Sequence, residues 1–342
     1  MNSALILGIT GQDGSFLAEQ LLAEGYAVHG LVRRASMFNR SRIEHLRTTS
    51  PAPGKLTLHY GDLTDVTSLR RILMQEKPQE IYHLAGQSHV GLSFEIPEVT
   101  CQENGTATLA LLEILRDLGY PVKFYHAASS EIFGSPAAAP QSEATAVNPV
   151  NPYGCAKAFA LQLCRVYRNA YGLFACNGIA YNHESPRRGE NFVTRKISLG
   201  AARIKAGRQA EIALGNLEAR RDWGWAPEYV AAMRLMLAAK EPGDFVLATG
   251  RACSVREFAA AAFAELGLEL AFEGQGTAEV GRRKDTGAVV LRVDPRFHRP
   301  VDSVMLVGDA SLAGSRLGWK ARTTGGEVAR QMARADYAAL EP

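Results

Sequence analysis

Apolar residues along the first half of the chain fall into two alternating patterns. Short, nearly continuous runs rich in Ala, Val, Ile and Leu occupy 4–7, 27–32, 55–60, 80–84, 123–128 and 174–179. Between them lie longer stretches, at 15–24, 67–76, 106–118 and 153–171, whose apolar positions recur with helical spacing. Runs of the first kind predict strands buried on both faces, and helices crossing between such strands predict parallel pairing. The fold class is therefore α/β, a doubly wound parallel sheet of Rossmann type with its ligand crevice at the C-terminal strand ends.

After 179 the alternation weakens. A polar, Arg-rich stretch covers 182–196, and Gly- and Arg-rich segments follow at 215–221 and 274–283, which predicts a smaller α/β substrate-binding domain. The spacing predicts a helix over 222–240 and a strand over 245–248, so the chain is expected to return to the first domain. The expected division is 1–180, with return segments at about 222–250, for nucleotide binding, and 181–221 with 251–342 as a cap. A last helix is predicted at 327–339.

Composition narrows the classes of partner. The 38 Lys and Arg against 35 Asp and Glu leave a net charge of +3, too little to make nucleic acid or a membrane surface the main partner. No apolar run approaches the roughly 20 residues that span a bilayer, and the N-terminus enters a strand directly, so a cytoplasmic location is expected. Cys101, Cys155, Cys164, Cys176 and Cys253 are scattered, with no CxxC pair and no His at zinc spacing. They read as reduced, mostly structural thiols, and no metal is expected.

The first candidate chemistry is Gly8-Ile9-Thr10-Gly11-Gln12-Asp13-Gly14, between the first strand and the first helix. Glycines here let the backbone turn tightly and bring its N–H groups to a pyrophosphate at the helix N-terminus. At the end of the second strand, where an NAD site usually carries a carboxylate for the ribose hydroxyls, the chain has Arg33-Arg34 followed by Ser36. Guanidinium groups suit a 2′-phosphate, so NADP is favoured. Asp62-Leu63 follows the third strand, in reach of an adenine amino group, and Leu84-Ala85-Gly86-Gln87-Ser88 ends the fourth strand beside the ribose position.

Tyr153 and Lys157 stand four residues apart, on one face of a helix. An ammonium beside a phenol favours phenolate, so Lys157 is expected to lower the Tyr153 pKa and make it a base for a sugar hydroxyl. Ser129-Ser130-Glu131 lies just beyond the fifth strand, where catalytic groups of such folds gather. Ser129 is placed to hold the hydroxyl that Tyr153 deprotonates. Glu131 is informative, because a simple dehydrogenase or 4-epimerase needs no carboxylate beside the Tyr, whereas removing a proton from C5 beside a new C4 ketone does.

These residues, with His59-Tyr60-Gly61-Asp62-Leu63-Thr64-Asp65, Gln87-Ser88-His89-Val90, Asn182-His183-Glu184-Ser185-Pro186-Arg187-Arg188-Gly189-Glu190 and Arg221-Asp222-Trp223-Gly224, resemble the GDP-mannose 4,6-dehydratases. The resemblance runs nearly to the C-terminus. It implies C4 oxidation by NADP⁺, loss of water across C5 and C6, and hydride return to C6, with Ser129, Glu131, Tyr153 and Lys157 as the catalytic set. It further implies cofactor contacts at Arg33, Arg34, Ala35, Ser36, Asp62, Leu63, the 84–88 loop, Lys157, His183 and Arg188. GDP-sugar contacts are implied at Ser88, Glu131, Asn182, Val193, Lys196, Arg220 and Arg299. A homotetramer is implied as well, with 35–42 reaching a neighbouring subunit.

The chain departs from the family pattern at Ser129, where Thr is usual, at Phe133, where Tyr is usual, and at Trp225, where His is usual. The last departure leaves room for a different hexose or a GDP-manno-heptose. A reductase of a GDP-4-keto-6-deoxy sugar would share the Tyr–Lys pair but have no need of Glu131. A catalytically silent NADP-sensing regulator would need none of the four catalytic residues.

Overall fold

The computed structural model describes residues 2–48, 54–297 and 305–340. Its first half contains Ser3–Leu7 (β1), Gln12–Ala23 (α1), Ala27–Val32 (β2), Glu44–Thr48 (α2), Lys55–Tyr60 (β3), Val66–Glu76 (α3) and Glu80–His83 (β4). Then come Pro97–Cys101 (α4), Ala107–Asp117 (α5), Lys123–Ser129 (β5), Pro152–Tyr171 (α6) and Phe174–Ala180 (β6). The second half contains Asn182–Glu184 (β7), Val193–Lys205 (α7), Ile212–Leu214 (β8), Arg220–Trp225 (β9), Ala226–Ala238 (α8) and Asp244–Leu247 (β10). It continues through Ala252–Ser254 (β11), Val255–Glu265 (α9), Leu270–Glu273 (β12), Val280–Arg283 (β13), Val289–Val293 (β14), Ser311–Leu317 (α10) and Gly325–Ala338 (α11).

Seven strands pair in the order β10-β6-β5-β4-β1-β2-β3, every neighbour parallel. The strand order reverses between β1 and β4, so the loops after these two strands flank the crevice of a doubly wound sheet. Apolar runs make this sheet because both faces are covered: Ile6, Val28, Tyr125 and Cys176 pack with α1 and α8 residues, while Leu5, Leu7, Ile81 and Phe124 pack with α3 and α5 residues.

A further apolar core joins α7, α9 and α11 through Ile197, Ala201, Phe258, Phe263, Val328 and Met332. Beside it lie a three-stranded sheet, β11-β9-β7, and a four-stranded sheet, β12-β13-β14-β8. Asp222 links distant parts of the chain: its carboxylate accepts from Thr249 N at 3.0 Å, Thr249 Oγ1 at 2.6 Å, Gly250 N at 2.9 Å and Gly308 N at 3.3 Å.

Two helix expectations need correction. Residues 222–225 belong to β9, and the helix starts at Ala226 with Pro227 in its first turn, where the missing N–H costs nothing. Pairing with β7 and β11 holds this stretch extended. The helix expected at 106–118 extends further upstream, since α4 passes through a π turn at Gln102–Thr106 into α5. Within that turn Asn104 is buried and donates to the carbonyls of Gln87 and Thr100, a demand of the neighbouring loop that helical periodicity does not reveal.

Candidate active site

A cleft of about 1230 Å³ lies at the C-terminal ends of the large sheet, lined from one side by residues such as Gly11, Asp62, Gly86, Ser129 and Ala180. Leu214, Arg221, Trp223, Val255, Arg296 and Phe297 line it from the second half of the chain. Ordinary small-molecule sites span about 300–1,000 Å³, so this cleft exceeds the usual size for a single ligand.

The β1 end is shaped for a dinucleotide. Gly8 has φ +90, and a Cβ there would stand 2.8 Å from the Ala85 nitrogen; at Gly14 a Cβ would stand 2.2 Å from the Gly8 carbonyl oxygen. The first glycine permits the turn and the second lets α1 press onto it. The Gly11 cap offers α1 no side-chain acceptor, which leaves first-turn N–H groups for an anion. These features fit a pyrophosphate.

Gln12 and Asp13 bind this loop to the second half. Gln12 Nε2 donates to the His183 carbonyl at 2.9 Å, and Ser185 Oγ donates to Gln12 Oε1 at 2.7 Å. His183 Nε2 lies 2.8 Å from Asp13 Oδ2, and its Nδ1 lies 2.7 Å from the Tyr181 carbonyl. Burial opposes ionisation of both side chains, yet their mutual attraction and hydrogen bond outweigh it, so Asp13 lies below its ordinary range and His183 above. The pair is a hydrogen-bonded bridge between the glycine loop and β7 in which each side chain favours the charged form of the other.

At the end of β2, Arg33 lines the cleft with a side chain 70% exposed, 3.4 Å from Glu103. Arg34, Ala35 and Ser36 are exposed and do not line it, nor does Gln87, which donates to the His89 carbonyl and Thr100. Asp62 lines it, and hydrogen bonds led by the Thr64 N–H hold its carboxyl below the usual range. Gly8, Thr10, Gly11, Gln12, Asp13, Gly14, Leu63, Leu84, Ala85, Gly86, Ser88, Lys157, His183 and Arg188 all line the cleft.

Ser129, Glu131, Tyr153 and Lys157 converge on the same wall, each buried. Ser129 ends β5 and its Oγ accepts from the Glu131 N–H at 3.3 Å. Asn151, absent from the sequence-based set, does two things: its Oδ1 caps α6 by accepting from Gly154 N at 2.7 Å, and its Nδ2 donates to Glu131 Oε2 at 2.8 Å. One residue thereby fixes the helix that carries Tyr153 and Lys157 and also the carboxylate facing them. Asn before Pro152 is a legible N-cap signal, but the second bond is not.

Lys157 does not lower Tyr153 as expected. Burial pushes the phenol up to about 12; a hydrogen bond with Ser129 and the Arg188 charge act downward, while Glu131 adds to the rise. Lys157 Nζ donates to the Ala127 carbonyl at 2.8 Å and lies 5.8 Å from the centre of the phenol ring, and burial pulls this ammonium down to about 8.

Toward the far end, Asn182, Val193 and Lys196 line the cleft, with Lys196 Nζ 3.5 Å from the centre of the Phe297 ring. Arg220 does not line it: its guanidinium is engaged by the Ala252 carbonyl and by Glu257, each at 3.2 Å. The adjacent Arg221 does. Side chains alternate along a strand, so a one-residue difference decides which arginine faces the ligand, and the flanking sequence gives no register. Arg299 lies outside the described residues. Trp225 packs on the second core instead of lining the cleft, and Phe133 is buried, so neither departure alters the cleft wall.

A doubly wound sheet, a glycine turn into α1 and a buried Ser–Tyr–Lys set define an extended short-chain dehydrogenase/reductase. Solved structures agree on the fold: UDP-glucose 4-epimerase from Bifidobacterium longum, in complex with NAD⁺ and UDP, is 21% identical with a TM-score of 0.81, over 100% of this chain and 99% of the epimerase. RMD from Pseudomonas aeruginosa, complexed with NADPH, is 22% identical with a TM-score of 0.75, over 99% and 100%. The family model for GDP-mannose 4,6 dehydratase matches residues 5–332. The Homo sapiens GDP-mannose 4,6 dehydratase is 51% identical over 98% of this chain and 91% of its own length, and that of Sinorhizobium fredii (strain HH103) is 49% identical over 98% and 97%. The chain belongs to the GDP-mannose 4,6-dehydratase family, NADP-dependent hydro-lyases.

Proposed function

We propose that this chain converts GDP-mannose to GDP-4-keto-6-deoxymannose, with NADP as its resident hydride carrier. The observation that carries this reading is Glu131, a buried carboxylate held by Asn151 on the same cleft wall as Ser129 and Tyr153. NADP, when bound, accepts the C4 hydride and supplies the one that C6 receives, so the reaction is redox neutral. Tyr153 takes the O4 proton while Ser129 holds that oxygen, the Arg188 charge offsets part of the cost of phenolate, and Lys157 completes the set on the same wall. Glu131 takes the C5 proton, acidified by the C4 ketone, and returns a proton to departing O6, so water leaves across C5 and C6; hydride at C6 then leaves an enolate that takes up one proton at C5, matching the proton lost from O4.

The cofactor contacts proposed are the glycine loop, Arg33, Asp62, Leu63, Leu84, Ala85, Gly86, Ser88, Lys157, His183 and Arg188, which line the cleft, while Arg34, Ala35, Ser36 and Gln87 stand outside its wall. The GDP-sugar contacts proposed are Ser88, Glu131, Asn182, Val193, Lys196 and Arg299, with Arg221, which lines the cleft, in place of Arg220, which Glu257 and the Ala252 carbonyl engage. The reading assigns 1–180 with about 222–250 to the cofactor, and 181–221 with 251–342 to the sugar nucleotide. Five free cysteines suit a reducing compartment, consistent with a cytoplasmic location. The assembly proposed is a homotetramer in which 35–42 meets a neighbour, a role supported by Met37 and Phe38, 82% and 63% exposed.

The test is mass spectrometry of products from a panel of GDP-sugars incubated without added NADPH. GDP-mannose should give a product lighter by one water. Turnover of GDP-manno-heptose alone, consumption of NADPH with a 4-keto substrate, or no product from any sugar would each replace this reading with the corresponding alternative.

A further inference from the structure

Behind the cofactor end, on the sheet face covered by α3, three side chains from three elements meet. His29 stands on β2, His59 on β3, and Glu76 in the last turn of α3. The register pairs His29 with Thr57 and Leu31 with His59, so the two histidines occupy the same face one pleat apart. Their rings stack with centroids 5.3 Å apart, and His29 Nδ1 lies 3.1 Å from His59 Nε2. Glu76 Oε2 is 3.5 Å from His29 Nδ1, and Oε1 is 4.0 Å from His59 Nε2. None of the three lines the catalytic cleft.

We propose that His29, His59 and Glu76 form a binding site for a divalent transition-metal cation of the zinc class, separate from the catalytic cleft. Tetrahedral zinc with bonds of about 2.0–2.1 Å holds its ligand atoms about 3.3 Å from one another. The first two separations bracket that spacing, and rotation of the Glu76 carboxylate closes the third. Two imidazoles and one carboxylate are a donor set for borderline metals, and three protein ligands leave one position for water. His59 and Glu76 side chains remain 16% and 20% exposed, which gives the ion a path in.

Protonation competes with a metal for these nitrogens, and at His29 it is disfavoured. Burial lowers the His29 pKa; Glu76 opposes this, while His59 and Lys55 add to it. Lys55 is also the charge that works against the cation. Its side chain belongs to a residue exposed to solvent, where an ammonium is screened, whereas Glu76 touches the site directly. An occupied site would join edge strand β3 to β2 and to the end of α3. The continuations of β2 and β3 carry Arg33 and Asp62, so the metal would brace the adenosine end of the cleft.

The experiment is equilibrium dialysis of the chelator-treated, NADP-loaded protein against zinc, cobalt and magnesium, with the cobalt absorption spectrum recorded. One equivalent of zinc should bind, cobalt should show the intense band of a tetrahedral site, and magnesium should bind far more weakly. Glu76→Gln and His59→Asn should each lose tenfold or more in zinc affinity. His45→Ala, with its ring beside Glu19 on another surface, should lose nothing. Glu76→Gln changes a partly exposed helix-end residue and should melt as the parent does without metal. No stoichiometric zinc binding, equal affinity for magnesium, or undiminished zinc binding in both ligand variants would overturn the proposal.

Discussion

Tyr153, Glu131 and Asn151 divide the work at the scale of single side chains. Tyr153→Phe removes the O4 base and should lower turnover about 10²- to 10⁴-fold, with no reduced nicotinamide in single-turnover absorbance. Glu131→Gln keeps the shape but cannot take the C5 proton, so reduced nicotinamide should build up while solvent deuterium stays out of C5. Near-parental 6-deoxy product from that variant would leave Glu131 a structural role only. Asn151 allows a sharper comparison. Asn151→Ala should cost about 1 kcal/mol as a lost cap and lower kcat as well, whereas Asn151→Asp keeps the cap but sets a second carboxylate against Glu131. The cap should return in the Asp variant but activity should not, and its stability should approach the parent's only as falling pH protonates one of the two carboxylates. The Asp13–His183 bridge gives a pH dependence whose sign follows from its two shifts. His183 titrates above its ordinary 6.5, so its contribution is full below that pH and fades as pH rises through the raised value. Asp13 titrates below its ordinary 3.8, so its contribution is full above that pH and fades only in stronger acid. Melting temperature measured from pH 5 to 9 should fall more steeply for the parent than for His183→Gln.

The end of β2 shows how an element refines a motif. Arg33-Arg34 reads as a pair in the sequence, but in the structure only the first lines the cleft. Arg33→Ala should therefore weaken NADP⁺ about tenfold or more while sparing NAD⁺, as for one charge-assisted bond of about 1.5–3 kcal/mol, and Arg34→Ala should do much less. Titration of both cofactors against both variants decides it. The same limit applies at β9, where sequence patterning predicts a helix from 222 onward and the family resemblance implies Arg220 as a GDP-sugar contact. Asp222-Trp223-Gly224-Trp225 contains no local signal strong enough to choose between helix and strand. The choice is made by hydrogen bonds to β7 and β11, which lie far away in the chain, and the same pairing sets the register that turns Arg221 inward.

Across the whole molecule, Asp222 is the residue whose loss should be felt furthest. Its carboxylate, itself buried, accepts from Thr249, Gly250 and Gly308. Asp222→Ala would remove all of these bonds at about 1 kcal/mol each, so a clear drop in denaturation midpoint is expected, with reduced GDP-sugar affinity as β9 loosens. Nothing in the Arg221-Asp222-Trp223-Gly224 string distinguishes this bracing aspartate from a catalytic one. The parallel sheet, its crossover helices, the glycine turn and the Tyr153–Lys157 pair were legible in the chain because each depends on local periodicity or on spacing along one element, and Ser129 and Glu131 because they stand at the end of a predicted strand. Asn151's bond to Glu131, the Asp13–His183 bridge, the inward turn of Arg221, the high phenol pKa of Tyr153 and the meeting of His29, His59 and Glu76 were decided only when the chain folded. Each depends on distance and burial between residues far apart in sequence, and those quantities exist only once packing has expelled water and set the registers of the strands.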